Sequence, residues 1–464
     1  MSGANQISRA PLSAAPNGAL AQDNTAPGAL DRSSTELGAL AQDNTDPGAL
    51  AQDSTELGAL ARDNTDPGAL GQDNIAPGAL DRGNTELGEL RPFQIYIHVP
   101  YCTRRCGYCD FNTYVAGGEE RAGFAALVRA ELELAARALE EWGREVSGVD
   151  TVFFGGGTPT VLAAPDLVGL LDAVRGIFGL RGGAEITTEA NPDTVDRTYL
   201  AALADGGFTR VSFGMQSAVP HVLRTLERTH SPDAVALGVE AAAAVGLTAS
   251  ADLIYGTPGE TIADWETSLR AALALGVNHI SAYALTLEGS VPLARRIRRR
   301  QLPPVDADAQ AAMYELADQM FHSHGFRWYE ISNWAKPGYE SRHNYGYWTG
   351  AEWWGIGPGA HSAIRGERFW NMKLPRAYAA ALEKGELPIA GRDVPDAAGR
   401  ELERIMLGLR TRSGIALADL SHSSLRVSEQ LVQDGLAAVN GSNLVLTLRG
   451  RLLADTVTRA LMFV

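Results

Sequence analysis

From Phe93 onward, short β-branched or aromatic runs alternate with longer Ala- and Leu-rich stretches of helical period, and this alternation limits the fold more than any other feature. It predicts strands near Ile95–Val99, Thr151–Phe154, Glu185–Glu189, Val211–Phe213, Thr248–Ile254 and His279–Ala284. Helices are predicted between them, near Glu119–Glu141, Ala164–Phe178, Asp196–Asp205, Pro232–Val245 and Ile262–Leu275. Successive strand–helix units require a parallel sheet with right-handed crossovers. Six units are too few for a complete eightfold barrel, so the expected fold is α/β, a partial (β/α)6 TIM-like barrel over residues 91–290. In such folds chemistry collects at the C-terminal ends of the strands.

What flanks this unit reads differently. Residues 1–90 carry a ten-residue repeat, seven copies from Gly18 beginning GALAQDNTAP, with no aromatic residue, four Arg and thirteen acids. Each copy offers one or two Leu to bury, too little to offset its ordering entropy, so the segment is expected to be a disordered low-complexity tail. Residues 291–390 break the alternation and are rich in Trp, Tyr and Gly. Residues 391–464 read as a small helical, winged-helix-like module with a hairpin between Gly435 and Leu448. A winged outline suggests DNA, but no basic recognition face accompanies it, and a packing or lid role is the plainer reading. The chain's formal charge of −15 argues against nucleic acid as a partner. No apolar run reaches the roughly 18 residues of a membrane span, Met1–Leu20 lacks a secretory pattern, and three cysteines suit a reducing cytoplasm.

Those cysteines carry the chemistry. All three lie in the loop after the first strand, as Cys102-x3-Cys106-x2-Cys109. Three thiolates so spaced can hold three irons of a [4Fe–4S] cluster and leave the fourth iron open to an exogenous ligand. The amino and carboxylate groups of S-adenosylmethionine can chelate that iron, and an electron from the cluster then cleaves the sulfonium bond to give a 5′-deoxyadenosyl radical. A zinc site of the three cysteines with His98, or three unrelated thiols, are the plainer readings. The spacing, the loop position and Tyr108 before the last cysteine resemble the radical S-adenosylmethionine superfamily.

The strand ends extend the resemblance. The second strand runs into Gly155-Gly156-Gly157-Thr158-Pro159, where glycines let backbone approach a ligand closely. Tyr96 in Y-x-H-x-P, this glycine run, Glu189 in TTEANP, Gln216 in SFGMQS, Arg228 in LERTH and Asp252 in ADLIYGTPGE resemble, in order and spacing, the oxygen-independent coproporphyrinogen III oxidase-like family. That family is known for binding two S-adenosylmethionine molecules. The resemblance implies Tyr96, Gly156 and Glu189 at the first, and Gly157, Thr158, Gln216, Arg228 and Asp252 at the second. Singly, each is an ordinary surface or packing polar group.

Two departures bear on the branch. The decarboxylating dehydrogenases carry a fourth cysteine two residues after the third, where this chain has Phe111, and they have a folded segment before the cysteine loop, where this chain has its repeat. In their place stands His343-Asn344-Tyr345-Gly346-Tyr347-Trp348, followed by a Gly355–Ser362 run containing His361. These resemble the HemW-like haem chaperones, which bind haem and deliver it to acceptor proteins. Six of the eight Trp lie between Trp328 and Trp370, aromatic faces that suit a planar porphyrin or, more plainly, an interface between modules with His343 a satisfied core histidine. His361, His322 and His324 are weaker haem-ligand candidates. Arg295, Arg296 and Arg298–Arg300 form a basic cluster, a propionate or anionic-lipid contact or simply a solvated helix face.

The resemblance therefore implies a haem chaperone with a [4Fe–4S] cluster on Cys102, Cys106 and Cys109, S-adenosylmethionine, and haem at or near His343. Its partners would be a haem-acceptor protein and an electron donor such as a flavodoxin or ferredoxin, with peripheral membrane association left open. The alternatives are a coproporphyrinogen III dehydrogenase, a radical methyltransferase, and an electron-transfer or structural protein.

Overall fold

The computed structural model describes residues 92–115, 117–287 and 291–462; the repeat tail lies outside the described residues. Six strands follow in chain order: β1 (Phe93–Val99), β2 (Val149–Gly156), β3 (Leu180–Ala190), β4 (Arg210–Gln216), β5 (Thr248–Tyr255) and β6 (His279–Ala284). Each pairs in parallel with its predecessor. Between them run α1 (Gly118–Glu141), α2 (Ala164–Phe178), α3 (Arg197–Asp205), α4 (Pro232–Ala244) and α5 (Ile262–Ala274). This is the partial (β/α)6 barrel that the alternation predicts.

The helix boundaries follow from local chemistry. Asp196 caps α3 by accepting from Tyr199 N, and Ser231 caps α4 with Pro232 in the first turn. Thr261 and Asp264 form a reciprocal capping box at α5. Gly207, Gly246 and Gly276, all at positive φ, turn the chain after α3, α4 and α5.

The strands divide residues by period two. Ile95, Ile97 and Val99, then Val152 and Phe154, Val211 and Phe213, Ala251 and Leu253 belong to the apolar core under the helices. The alternate set is polar: Tyr96 and His98, Thr187 and Glu189, Arg210 and Ser212, Ser250 and Asp252, His279 and Ser281. A closed barrel of this type usually fills its interior with branched apolar side chains. Here the inner face lines a chamber instead.

Residues 291–393, whose pattern gave no strand signal, add strands to both edges of the same sheet. After α6 (Ala307–Ser323), β7 (Arg327–Glu330) and β8 (Asn333–Ala335) continue antiparallel beyond β6. After α7 (Arg342–Thr349), β9 (Glu352–Ile356) pairs in parallel with β1. Then β10 (His361–Ile364), β11 (Glu367–Asn371), α8 (Pro375–Glu383) and β12 (Ile389–Asp393) follow, with the strands antiparallel. The order across the twelve strands is β12-β11-β10-β9-β1-β2-β3-β4-β5-β6-β8-β7. The added strands have three to five residues, too few to establish an alternation, and several follow one another without an intervening helix.

The C-terminal part has its own core, including Leu409, Leu431, Leu444 and Val457. It contains α9 (Ala397–Leu409), β13 (Ile415–Ala416), α10 (His422–Gln433), the expected hairpin β14 (Ala437–Asn440) and β15 (Asn443–Leu446), and α11 (Ala454–Met462). Arg451 locks it to the barrel side. Its buried guanidinium forks onto both oxygens of Asp318 on α6 at 2.9 and 2.8 Å, donates to Tyr314 Oη at 3.1 Å and lies 4.4 Å from the Trp328 ring centroid. Burial opposes ionisation of Asp318, but Arg451 and the Trp334 indole N–H outweigh it and hold the carboxyl below its usual value.

Arg451→Ala strands a buried carboxylate and should cost about 3–5 kcal/mol, read as a lower midpoint in chemical denaturation. Because the folded value of Asp318 is depressed, its contribution is present above the ordinary carboxylate range of about pH 4 and is lost as the pH falls through the folded value. The difference between wild type and variant should therefore shrink at acid pH.

Candidate functional site

The cysteine loop leaves β1 and is closed by a two-residue parallel bridge of Tyr101–Cys102 with Tyr114–Val115. All three cysteines are half-buried and unbridged. Each Sγ has a polar neighbour: Thr158 Oγ1 at 3.8 Å from Cys102, Arg228 Nη1 at 3.8 Å from Cys106 and Thr113 Oγ1 at 4.0 Å from Cys109. Burial pushes the Cys109 thiol up to about 12 and raises that of Cys102, which Thr158 partly offsets. Such thiols stay protonated near neutral pH unless a cation displaces the proton, which is the behaviour of metal-binding thiols.

The donor set suits a cluster better than a single zinc. His98, the fourth ligand in the zinc reading, has both ring nitrogens engaged: Nδ1 lies 3.1 Å from Tyr96 Oη and Nε2 3.0 Å from Asn112 O. Among the described residues no three His, Cys, Asp or Glu gather around one point as a single ion requires. A [4Fe–4S] cluster asks for something wider, one thiolate per iron with donors around the sulfurs, and Arg228 and Thr158 are such donors.

The glycine run is stitched to this loop. Gly157 N donates to Val99 O and Thr158 N to Tyr101 O, both at 2.8 Å. Gly156 sits at φ +103°, and a Cβ there would fall 2.5 Å from the His98 ring; at Gly157 it would fall 2.6 Å from Tyr101 O. These two positions therefore need glycine. Gly156 N donates to Glu189 Oε2 at 3.2 Å, which joins the ends of β2 and β3.

Further round the sheet, Gln216 adopts φ +62° where the β4–β5 register shifts, a bulge that re-aims its side chain. Arg228 Nη2 donates to Gly214 O at 2.9 Å and to Asn191 Oδ1 at 3.2 Å. Burial raises the Asp252 carboxyl, opposed by hydroxyls of Ser212 and Ser281, each donating at 2.7 Å. Tyr96, the three cysteines, Gly156, Gly157, Thr158, Glu189, Gln216, Arg228, Asp252 and His343 all line one cavity of about 1010 Å³. Residues scattered over about 250 positions of sequence thus share a chamber.

His343 departs from the expectation of an available haem ligand. It is 1% exposed, and both ring nitrogens are occupied, Nδ1 with Thr151 Oγ1 at 2.6 Å and Nε2 with Tyr347 Oη at 2.7 Å. Its ring stacks on Phe153 at 5.1 Å, and burial lowers its pKa to about 3. As placed, it is a satisfied core histidine that borders the chamber. His361 also lines the chamber, stacked on Trp370 at 5.7 Å, whereas His322 and His324 are exposed on the far end of α6.

Several participants escaped motif reading. Asn112 bridges the cysteine loop to Pro358 O at 2.8 Å and Lys373 O at 2.9 Å. Ser212 and Ser281 position Asp252, and Arg210 lines the chamber. The available signal was a polar residue at every second position of an otherwise apolar parallel strand.

Comparison with known proteins agrees with this geometry. Residues 96–272 match the model of the radical SAM superfamily and residues 400–453 that of the HemN C-terminal domain. The chain is 48% identical over 376 residues to a protein named heme chaperone HemW from Mycobacterium tuberculosis, covering 80% of this chain and 95% of that one. It is 32% identical over 376 residues to the protein of that name from Bacillus subtilis, covering 78% and 97%. The solved Escherichia coli coproporphyrinogen III oxidase (HemN) shares the fold, with a TM-score of 0.69 at 21% identity over 80% of this chain and 90% of that one.

Replacing any one of the three thiols, as in Cys106→Ser, should reduce iron and acid-labile sulfide after anaerobic reconstitution to near background. Full iron content in the variant would show that the loop does not hold a cluster.

Proposed function

The chain belongs to the HemW family of haem chaperones, within the radical S-adenosylmethionine superfamily, and from that premise we propose that it binds haem and passes it to acceptor proteins. The observation that carries the reading is the single chamber. The cysteine loop, the glycine run, Glu189 and Asp252 on the strands, Arg228 in the connection after β4, and the helix bearing His343-Asn344-Tyr345-Gly346-Tyr347-Trp348 all open onto one cavity.

Cys102, Cys106 and Cys109 would hold a [4Fe–4S] cluster, which supplies one-electron chemistry and an open iron for S-adenosylmethionine. Around it, this chain's residues bind and orient. Tyr96, Gly156 and Glu189 stand beside the cysteine loop, where backbone N–H and carboxylate can hold the amino and ribose groups of S-adenosylmethionine. Arg228 suits a carboxylate and neighbours the Cys106 sulfur, while Gly157, Thr158, Gln216 and Asp252 offer sites for a second molecule. A reducing compartment such as the cytoplasm suits three unbridged thiols.

We place haem against the chamber side of α7. Ligation by His343 requires Nε2 to leave Tyr347; burial already keeps the ring neutral, which a metal ligand must be. Tyr347→Phe frees that nitrogen and keeps the ring. Haem titration read at the Soret band should therefore give saturable binding near one equivalent in wild type, unchanged or tighter binding in Tyr347→Phe, and about tenfold weaker binding in His343→Ala, a loss of about 1.4 kcal/mol. Equal affinity in all three removes His343 as ligand and leaves the chaperone reading standing. No saturable shift in wild type, together with decarboxylation of added coproporphyrinogen, overturns the chaperone reading in favour of a dehydrogenase.

A further inference from the structure

We propose that Thr151 is the positioning residue that presets His343 as a haem ligand, by engaging the ring nitrogen that carries the proton and so leaving the lone pair at Nε2; the inference rests on the reading of His343 as ligand given above. One rung of the sheet supports it. Gln94 on β1, Thr151 on β2 and Glu185 on β3 are register partners, side by side on neighbouring strands. Each holds a different part of His343. Gln94 Nε2 donates to the His343 carbonyl at 3.2 Å, Glu185 Oε1 accepts from the His343 N–H at 3.0 Å, and Thr151 Oγ1 lies 2.6 Å from Nδ1.

The same rung fixes the turn around it. Gln94 Nε2 also donates to Arg342 O at 3.3 Å, and Glu185 Oε2 accepts from Arg342 N at 3.0 Å. Gly346 lets α7 come this close, since a Cβ there would collide with the Gln94 amide. Phe153, two residues along β2 from Thr151, stacks on the imidazole at 5.1 Å. The backbone, one ring face and Nδ1 of His343 are thus anchored to three strands. The other ring nitrogen, Nε2, meets Tyr347 Oη at 2.7 Å, a residue one turn further along the same helix.

A neutral imidazole carries one N–H and one lone pair, and burial keeps this ring neutral. Two proton arrangements satisfy both short bonds, and they differ in what they allow. With the proton on Nδ1, that N–H donates to Thr151 and Nε2 accepts from the Tyr347 hydroxyl. With the proton on Nε2, that N–H donates to Tyr347 and Nδ1 accepts from Thr151. The chemistry of the two hydroxyls separates them. A phenol is the stronger acid, hence the better donor and the poorer acceptor, while an aliphatic hydroxyl oxygen is the better acceptor. The pairing that suits both places the proton on Nδ1. Once Nε2 parts from Tyr347 it presents a lone pair to iron, and no proton has to leave a buried ring. The opposite tautomer presents an N–H, which cannot ligate a metal. A histidine that only fills the core is served by either tautomer, and needs no such grip on one side of the ring while the other nitrogen borders a chamber on a partner from its own helix.

The test uses the full chain without haem, carrying 15N-labelled histidine. Long-range 1H–15N correlation spectra report which ring nitrogen holds the proton, and His343→Ala identifies the His343 signals among those of the nine histidines. Wild type should show a protonated Nδ1 and a bare Nε2. Thr151→Val keeps the shape of the side chain and removes the acceptor. It should move the proton wholly or partly to Nε2 and weaken haem binding, titrated at the Soret band, about tenfold. Thr151→Ser restores the hydroxyl and should return tautomer and affinity to wild type. A packing role alone lowers the chemical-denaturation midpoint of Thr151→Val and leaves tautomer and affinity as in wild type, which overturns the proposal. So does a wild-type spectrum with the proton on Nε2, and that spectrum decides even where Thr151→Val does not fold. The two readings fail separately. If His343→Ala binds haem as tightly as wild type, the ligand reading fails and this proposal falls with it. If His343→Ala binds haem weakly while the tautomer or the affinity of Thr151→Val equals that of wild type, the proposal alone fails.

Discussion

The two-faced character of the parallel strands is the constraint on which the rest depends. Each strand from β1 to β6 sets one residue into the helix-packed core and the next toward the chamber. A one-residue slip in any register would bury Glu189 or Asp252 among leucines and turn Ile186 or Leu253 toward the ligand space, at a cost no local interaction could offset. The apolar face thus fixes the register, and the register fixes which polar groups converge.

Convergence alone would leave the cysteine loop loose, and a second layer of contacts prevents that. Glu131 on α1 is fully buried and accepts from Gly357 N at 2.8 Å, Asn371 Nδ2 at 2.6 Å and Tyr378 Oη at 2.5 Å. Burial raises its carboxyl to about 7, opposed by these three donors. They hold the turn after β9, whose Pro358 carbonyl accepts from Asn112 in the cysteine loop. Gly359 leaves room for that amide, since a Cβ there would lie 2.6 Å from Asn112 Nδ2. Asn112 in turn offers its carbonyl to His98 on β1. A helix, the turn after β9 and a strand end therefore position one loop through a connected set of polar groups, with Glu131 and Asn371 buried among them.

Helix α7 occupies a comparable junction. Its inner side packs His343 against Phe153 and Tyr347, while Tyr345 on its outer side shares a hydrogen bond of 2.7 Å with Ser413 of the C-terminal part. Asn344 donates to the buried Glu330 of β7 at 2.9 Å. The motif that suggested a porphyrin contact in the sequence thus also joins the sheet, the chamber and the C-terminal module. Its histidine is engaged on both nitrogens because a buried imidazole without partners would be costly.

The sequence by itself determined the alternating strands and helices of the barrel, with Ala164–Phe178 and His279–Ala284 matched to the residue, because caps such as Ser231 and Thr261, turn glycines and period-two alternation are local signals. It also singled out the cysteine loop, since ligand spacing is a one-dimensional fact, whereas Tyr96, Glu189, Gln216, Arg228 and Asp252, which line the same chamber, were reached through resemblance to a family and not from local pattern. Tertiary structure decided the rest. The short strands β7–β12 extend the sheet only because β1 and β6 present open edges to them, which no local pattern records. The roles of Asn112, Glu131 and Ser281 depend on partners as far as 261, 247 and 29 positions away, respectively. The engagement of His343 by Thr151, 192 residues away, was likewise invisible, because a side chain's hydrogen-bond partners are chosen by packing in three dimensions and not by its neighbours along the chain.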